Sequence, residues 1–426
     1  YVHIIANIRG TGGSGGTFGF MDAQERRDMY DLIEWAAAQP WCDGNVGMIG
    51  ISYFAMTQLE AAVERPPHLK AIFPVAVTAD LYDAASHHGL ASASFITPFL
   101  AMMGLTSDRS DAFWRRNPVI AGARRILNTP RLHEKFATMN GEAAVTMMRQ
   151  LLKLPHDPHP WDDLWLDTMV KHPVRDSWWE ERNLLPLLSK VDIPVYLGCD
   201  WENVPLHLPS TFTAWKTLAH NPNVRMAMLG QFGLTWPWES LHGEGEPGER
   251  SYLTLGAGLN RVKSSSIDPP STLTWTTAPL ERPLDVVGDI ELRLLASATA
   301  WDTAWIAMLQ DVAPDGAATD VTAGWLRASL RTVDEAASVD GVPVLPCTEA
   351  VGVPIGETVA YRIPLVPNAR RFPAGHRVRV VLTSDDQDPA APTIMNFRHA
   401  SVGTSSVNTI FSGSRLLMPV LESAVN

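Results

Sequence analysis

Three cysteines in 426 residues, Cys42, Cys199 and Cys347, are too few and too far apart for a disulfide framework, and none forms a CxxC pair that would suggest zinc. A reducing compartment suits such a chain, so the cytoplasm is the expected location. No apolar run approaches membrane-spanning length, and the opening YVHIIANIRG has neither the basic start nor the long apolar stretch of a secretion signal. It reads instead as an interior strand entering a loop. Basic clusters are missing too: 34 Lys and Arg face 46 Asp and Glu, a net charge of -12. Nucleic acid and anionic membranes normally require a basic face, so neither is expected as a partner. There is no internal repeat or low-complexity tract. The glycines of RGTGGSGG lack the Lys-Ser/Thr of a P-loop, which excludes that form of nucleotide binding.

What is present is a globular composition, 46% hydrophobic and 19% charged, in a chain long enough for two or three packed units. Asp22 with Glu25 three residues later reads as a capping box opening a helix, with Met29, Leu32, Ile33, Ala36 and Ala37 on one face and Pro40 as the stop. Val46 to Ile51 then reads as a buried strand, Phe54 to Glu64 as a helix ended by Pro66-Pro67, and Ala71 to Val77 as the next strand. Strands alternating with helices predict an α/β fold with a parallel sheet. From about Leu81 to Leu188 the pattern becomes helical without strands, through EAAVTMMRQLLKL and HPVRDSWWEERNLL, as in an inserted cap. Strand and helix resume at IPVYLG, STFTAWKTLA and NVRMAMLG. Beyond residue 250 alternating segments such as DIELRLLAS, TAWIAMLQDV and HRVRVVLTS, with a turn at Asp315-Gly316, predict an all-β sandwich. The expected organisation is a core over 1–78 and 189–249, a helical cap over 79–188, and the sandwich over 250–426.

Ser52 stands where the Val46–Ile51 strand ends and a helix begins, at the carboxyl edge where open parallel sheets collect their reactive groups. A serine on such a turn projects its hydroxyl from the sheet, and the following amide, that of Tyr53, is placed for an oxyanion. Gly50 fits the first glycine of GxSxG, but Phe54 occupies the second. A plain helix cap is the alternative role for this serine.

The strings NIRGTGGSGGTF and WAAAQPWCDGNVGMIGISYFAMTQLEAA resemble the cocaine esterase and X-Pro dipeptidyl-peptidase family, which includes amino-acid ester hydrolases and glutaryl acylases. The likeness extends through HPVRDSWWEER, VDIPVYLG and LTWTTAPLERPLDVVGDIELRLLASATAWDTAWIAMLQDVAPDG. It implies an α/β-hydrolase core, a helical cap and a jelly-roll, cleaving esters or amides through a Ser-His-Asp triad. Ser52 is then the nucleophile. The family's acid falls in the stretch Gly198-Cys199-Asp200-Trp201-Glu202, where Glu202 takes the aligned place and Asp200 stands in reserve. The family's histidine position is Leu234 here, which leaves His242 as the expected base and His207 as the second candidate. The loss of that histidine also keeps open a hydrolase-fold binding protein without activity. The family's earlier strands, with a tyrosine that completes the oxyanion hole, have no match, so the chain is expected to begin inside the core.

The resulting expectation is a serine hydrolase acting on a small-molecule ester, or on an amide in the manner of an X-Pro dipeptidyl-peptidase, with no cofactor and a homodimer as its assembly. No metal is expected: His156, His159 and Asp162 read as a solvated cap loop, and Asp385, Asp386 and Asp388 as a turn.

Overall fold

The computed structural model describes residues 1–106, 160–201, 203–228, 272–384, 386, 397–400, 402–404 and 406–421. Helix α1 spans Ala23–Ala37, and the Asp22 side chain accepts from the Glu25 amide at 2.8 Å, as the capping pattern predicts. Strand β1 (Val46–Ile51) leads into α2 (Tyr53–Glu64) and β2 (Leu69–Val75). Arg65, in the left-handed conformation, closes α2 just before Pro66 and Pro67 block its continuation.

Between β2 and the next core strand lie α3 (Leu81–Ala85), a hairpin of β3 (Ser86–His87) and β4 (Leu90–Ala91), α4 (Ala93–Thr106), α5 (Pro160–Leu166) and α6 (Ser177–Glu181). The hairpin departs from the strand-free pattern expected there, because His87, Gly89 and Leu90 are held by the sandwich domain rather than by helical periodicity. Strand β5 (Val195–Cys199), α7 (Leu208–Thr217) and β6 (Val224–Met228) complete a parallel four-stranded sheet ordered β1-β2-β5-β6. Residues 1–7 form no strand, and Val2, Ile4 and Ile5 are exposed. Among the described residues β1 pairs only with β2, so strand propensity at Val2–Ala6 finds no neighbour to pair with.

The second half is an antiparallel sheet containing β7 (Thr272–Thr276), β8 (Leu284–Ala298), β9 (Ala304–Val312), β10 (Ala318–Arg327), β11 (Val359–Phe372), β12 (Arg377–Thr383), β13 (Asn408–Ile410) and β14 (Arg415–Leu417). The β9–β10 connection turns at Gly316 (φ 92°), with the Asp315 carboxylate accepting from the Ala317 amide at 2.9 Å. Where the sequence predicts alternation, β9 is buried along its whole length, and this has a physical cause. Trp305, Ala307 and Leu309 enter the sandwich core, while Ala304, Ile306 and Met308 pack with Val75, Ala76, Cys199 and Val204 of the α/β core. Both faces are therefore dry, and each buried large aliphatic side chain contributes on the order of 2 kcal/mol. An α/β-hydrolase core joined to a β-sandwich is the observed architecture. Among the described residues no helix is long and apolar enough to cross a membrane.

Candidate active site

Ser52 has φ 59° and ψ -119°, a strained conformation for a residue with a side chain, and its hydroxyl makes no helix-capping hydrogen bond. The plain-cap alternative is thereby disfavoured. The Ser52 amide donates to the Val75 carbonyl at 3.0 Å, and its carbonyl accepts from Ala55 and Met56 at 2.8 and 3.0 Å, so both flanks of the turn are fixed. Gly50 is required by the close approach within this turn: a Cβ there would lie 2.4 Å from the Phe54 Cβ. Phe54 is tolerated in place of the second glycine because the residue is 64% exposed. The Tyr53 amide lies in the first turn of α2, where no intrahelical acceptor exists, so it is available to a developing oxyanion.

Tyr53 is held from below. Its hydroxyl donates to the Glu25 carboxylate at 2.9 Å, and its ring packs against Phe18, Phe20 and Phe99. Glu25 and the neighbouring Glu60 are both buried. Burial pushes Glu25 up to about 7, opposed by its bonds from Tyr53 and Met21. Glu60 rises well above the ordinary carboxyl range through burial and the proximity of Glu25.

The imidazole that reaches Ser52 belongs to His207: its Nε2 is 3.1 Å from Ser52 Oγ, and its Nδ1 is 2.9 Å from Thr78 Oγ1. His207 is the cap residue just before α7, and that placement aims its ring at the serine. The backbone around it is tied down, because its amide donates to the Asn203 side chain at 3.1 Å and its carbonyl accepts from the Thr211 amide and hydroxyl at 2.9 Å each. For Nε2 to accept from the serine, Nδ1 carries the proton and donates it to Thr78. Burial lowers His207 to about 3, opposed by the Val77 backbone, so the ring is neutral at ordinary pH and its Nε2 lone pair is open to the serine hydroxyl.

Asp200 lies one residue beyond β5 and is buried. Ser52, Thr78 and Asp200 thus follow the carboxyl ends of three adjacent parallel strands, β1, β2 and β5. Glu202, Leu234 and His242, together with His156, His159, Asp385 and Asp388, lie outside the described residues. Asp386 is buried, 1% exposed, and its carboxylate accepts from His399. Sequence reasoning missed Thr78, which no motif marks; its only signal is its place just after β2. Among the described residues no cluster of His, Cys, Asp and Glu could hold a metal ion. A cavity of about 160 Å³ lined by Ala62, Arg65, Leu69 and Asp192 lies at the far end of α2 from Ser52 and has no part in this geometry.

The sequence profile of the X-Pro dipeptidyl-peptidase (S15) family matches residues 1–233, and that of the X-Pro dipeptidyl-peptidase C-terminal non-catalytic domain matches residues 169–398. The chain is 24% identical to the cocaine esterase of Rhodococcus sp. (strain MB1 Bresler) over a 534-residue alignment that covers 99% of this chain and 88% of the relative. A putative serine esterase of Mycobacterium bovis is 30% identical over 151 residues, 30% of this chain and 23% of the relative. In fold it is similar to a CocE/NonD family hydrolase from Staphylococcus aureus, with TM-score 0.64 at 19% identity over 97% of this chain and 78% of that one. An aminopeptidase from a marine sediment Thaumarchaeota archaeon gives TM-score 0.62 at 18% identity over 94% and 82%. With a family profile matching more than half of its length over the strand-turn-helix that carries Ser52, the chain belongs to the X-Pro dipeptidyl-peptidase (S15) family of hydrolases.

Proposed function

We propose that the protein is a serine hydrolase that cleaves carboxylic esters of small molecules through an acyl-enzyme on Ser52, with His207 as the general base. The observation that carries this reading is the 3.1 Å approach of His207 Nε2 to the hydroxyl of a serine in a strained strand-to-helix turn. His207 Nε2 takes the Ser52 proton as Oγ bonds to the ester carbonyl carbon, and the Tyr53 amide faces the oxygen that gains charge. Collapse of the tetrahedral adduct breaks the ester C–O bond, and the proton on Nε2 passes to the departing alkoxide. Water then attacks the acyl-enzyme with the same ring as base, releasing the acid and restoring Ser52.

Esters are favoured over amides on the chemistry of this base. An imidazole buried against a threonine hydroxyl is a weak proton acceptor, which suits the more electrophilic ester carbonyl and its better leaving group. The family match supports a second reading, an X-Pro dipeptidyl-peptidase type of amide hydrolase. Paired kcat/KM values for p-nitrophenyl acetate and for an Ala-Pro p-nitroanilide separate the two; a larger value for the anilide would overturn the ester assignment. A binding protein without activity is disfavoured because an imidazole does face Ser52. A fluorophosphonate probe should label Ser52 in the wild type and leave Ser52→Ala unlabelled, and equal labelling of both would remove the proposal. Glu202 and His242 remain the alternative acid and base, to be judged in the same assays.

A further inference from the structure

Asn368, in β11 of the sandwich, is buried and joins that domain to the turn that carries His207. Its Nδ2 donates to the Val321 carbonyl of β10 at 3.0 Å and to the Trp201 carbonyl, just past β5 of the α/β core, at 3.2 Å. Its Oδ1 accepts from the Ala369 amide at 2.8 Å. Two carbonyls can share only a donor, so the side-chain amide has one orientation, and both ends of it are used. A bulge aims this side chain. Between the pairs Leu365–Ile290 and Asn368–Gly288, Val366 and Pro367 stand opposite Asp289 alone. Such a bulge bends the strand and redirects the side chains that follow it. Pro367 has no amide to give to the ladder and is suited to that place. Leu365 enters the sandwich core while Val366 packs with the α/β core, and the Thr322 hydroxyl pins the bulge by donating to the Val366 carbonyl at 2.6 Å.

Beyond Trp201 the chain closes around Asn203. The Asn203 side chain accepts from the His207 amide at 3.1 Å, and its carbonyl accepts from the Leu208 amide at 3.0 Å. Val204 and Leu208 are buried in one cluster with Ile306 and Met308 of β9. That packing sets the depth of the turn, but apolar burial is non-directional and leaves the turn free to slide or rotate along the interface. A hydrogen bond to a carbonyl is directional, and the bond from Asn368 falls where the chain passes from β5 into the turn.

We propose that Asn368 is a positioning residue for the reaction: through the Trp201 carbonyl the sandwich fixes the turn so that His207 Nε2 meets Ser52 Oγ. The inference rests on His207 acting as the base. Asn368 itself touches no reacting atom. The sandwich then takes part in the chemistry by orienting the base, in addition to covering the core.

The test uses the full chain and p-nitrophenyl acetate. Asn368→Leu keeps a similar volume and removes the donor, so kcat should fall by about tenfold while KM stays within about twofold, the pattern of a misaimed base rather than a lost binding contact. Gln310→Leu is the control for general damage to the sandwich: it removes a 2.8 Å bond from Gln310 to Asp320 that lies within that domain, and kcat should stay within about twofold of wild type. On a His207→Ala background, Asn368→Leu should change the residual rate by less than about twofold, because the group it aims is gone. If Asn368→Leu does not fold, Asn368→Ser, too short to reach Trp201, is read by the same criteria. Wild-type kcat in the Asn368 variant, an equal fall in Gln310→Leu, or a full tenfold fall persisting without His207 would each overturn the proposal. If the wild type turns over no ester, or His207→Ala keeps wild-type turnover, the hydrolase reading fails by itself. The coupling of Asn368 to His207 is then judged on ¹⁵N–¹H spectra of the histidine rings: His207 resonances displaced in Asn368→Leu and not in Gln310→Leu support it, and resonances that coincide with wild type overturn it.

Discussion

Stability should fall as pH rises, because two carboxyl groups sit under Tyr53 without enough partners to ionise. Glu25 accepts from Tyr53 at 2.9 Å and from the Met21 amide at 3.1 Å, yet its second oxygen has no partner, and neither has either oxygen of Glu60. Both groups are therefore protonated in the folded state at pH values where the unfolded chain has released its protons. The folded-state values are raised, so their contribution is fully present below the unfolded value of 4.5 and is lost as pH rises through the folded value, which for Glu25 is about 7. That interval of about 2.5 pH units, at about 1.4 kcal/mol each, amounts to about 3.5 kcal/mol for Glu25, with Glu60 acting in the same direction. Glu60→Met keeps an unbranched helix former of similar length while removing one carboxyl and the like-charge neighbour of the other. Urea unfolding at pH 5 and pH 8 checks this. The wild type should lose stability over that range, and Glu60→Met should lose less than about half as much and exceed the wild type at pH 8 by about 1–3 kcal/mol. Equal losses in both proteins, or a wild type that gains stability at pH 8, would refute the reasoning.

Other outcomes follow from single contacts. Thr78→Val preserves volume but removes the hydroxyl that meets His207 Nδ1, so kcat/KM for a p-nitrophenyl ester should drop roughly 10- to 100-fold with little change in fold by circular dichroism. Gly50→Ala forces its Cβ onto that of Phe54 and should cost roughly 1–3 kcal/mol in urea unfolding, while adding Phe54→Gly should restore most of the loss. Asp302 is buried and accepts from Arg327 Nε at 2.7 Å, Ser329 Oγ at 2.9 Å and the Ser329 amide at 3.0 Å, so Asp302→Ala should destabilise by roughly 3–5 kcal/mol.

The fold was legible wherever periodicity reported burial directly. The α1 cap, the bounds of β1, the proline stop after α2 and the alternating sandwich strands are local signals that tertiary structure reinforces. The exposed run at residues 2–6 was misleading because β propensity says nothing about whether a neighbour strand exists to complete the ladder. Within the site, Ser52 announced itself through its glycine and its place after a strand. His207 was harder to favour, because a histidine opening a helix has the same local sequence whether its ring faces solvent or a serine on another strand. Thr78 and Asn368 were beyond reach for a related reason: Asn368 and Trp201 stand 167 positions apart, and only the docking of the sandwich onto the α/β core brings them together.

The central claim is that His207 serves Ser52 as its base. The direct measurement is ester kcat/KM, with fluorophosphonate labelling of Ser52 alongside, for Ser52→Ala, His207→Ala and His242→Ala in the full chain. Loss of the base should lower kcat/KM by several powers of ten, roughly 10³-fold or more, in His207→Ala as in Ser52→Ala, while His242→Ala stays within about threefold of wild type. Wild-type turnover in His207→Ala together with its loss in His242→Ala would contradict the account and pass the role to His242.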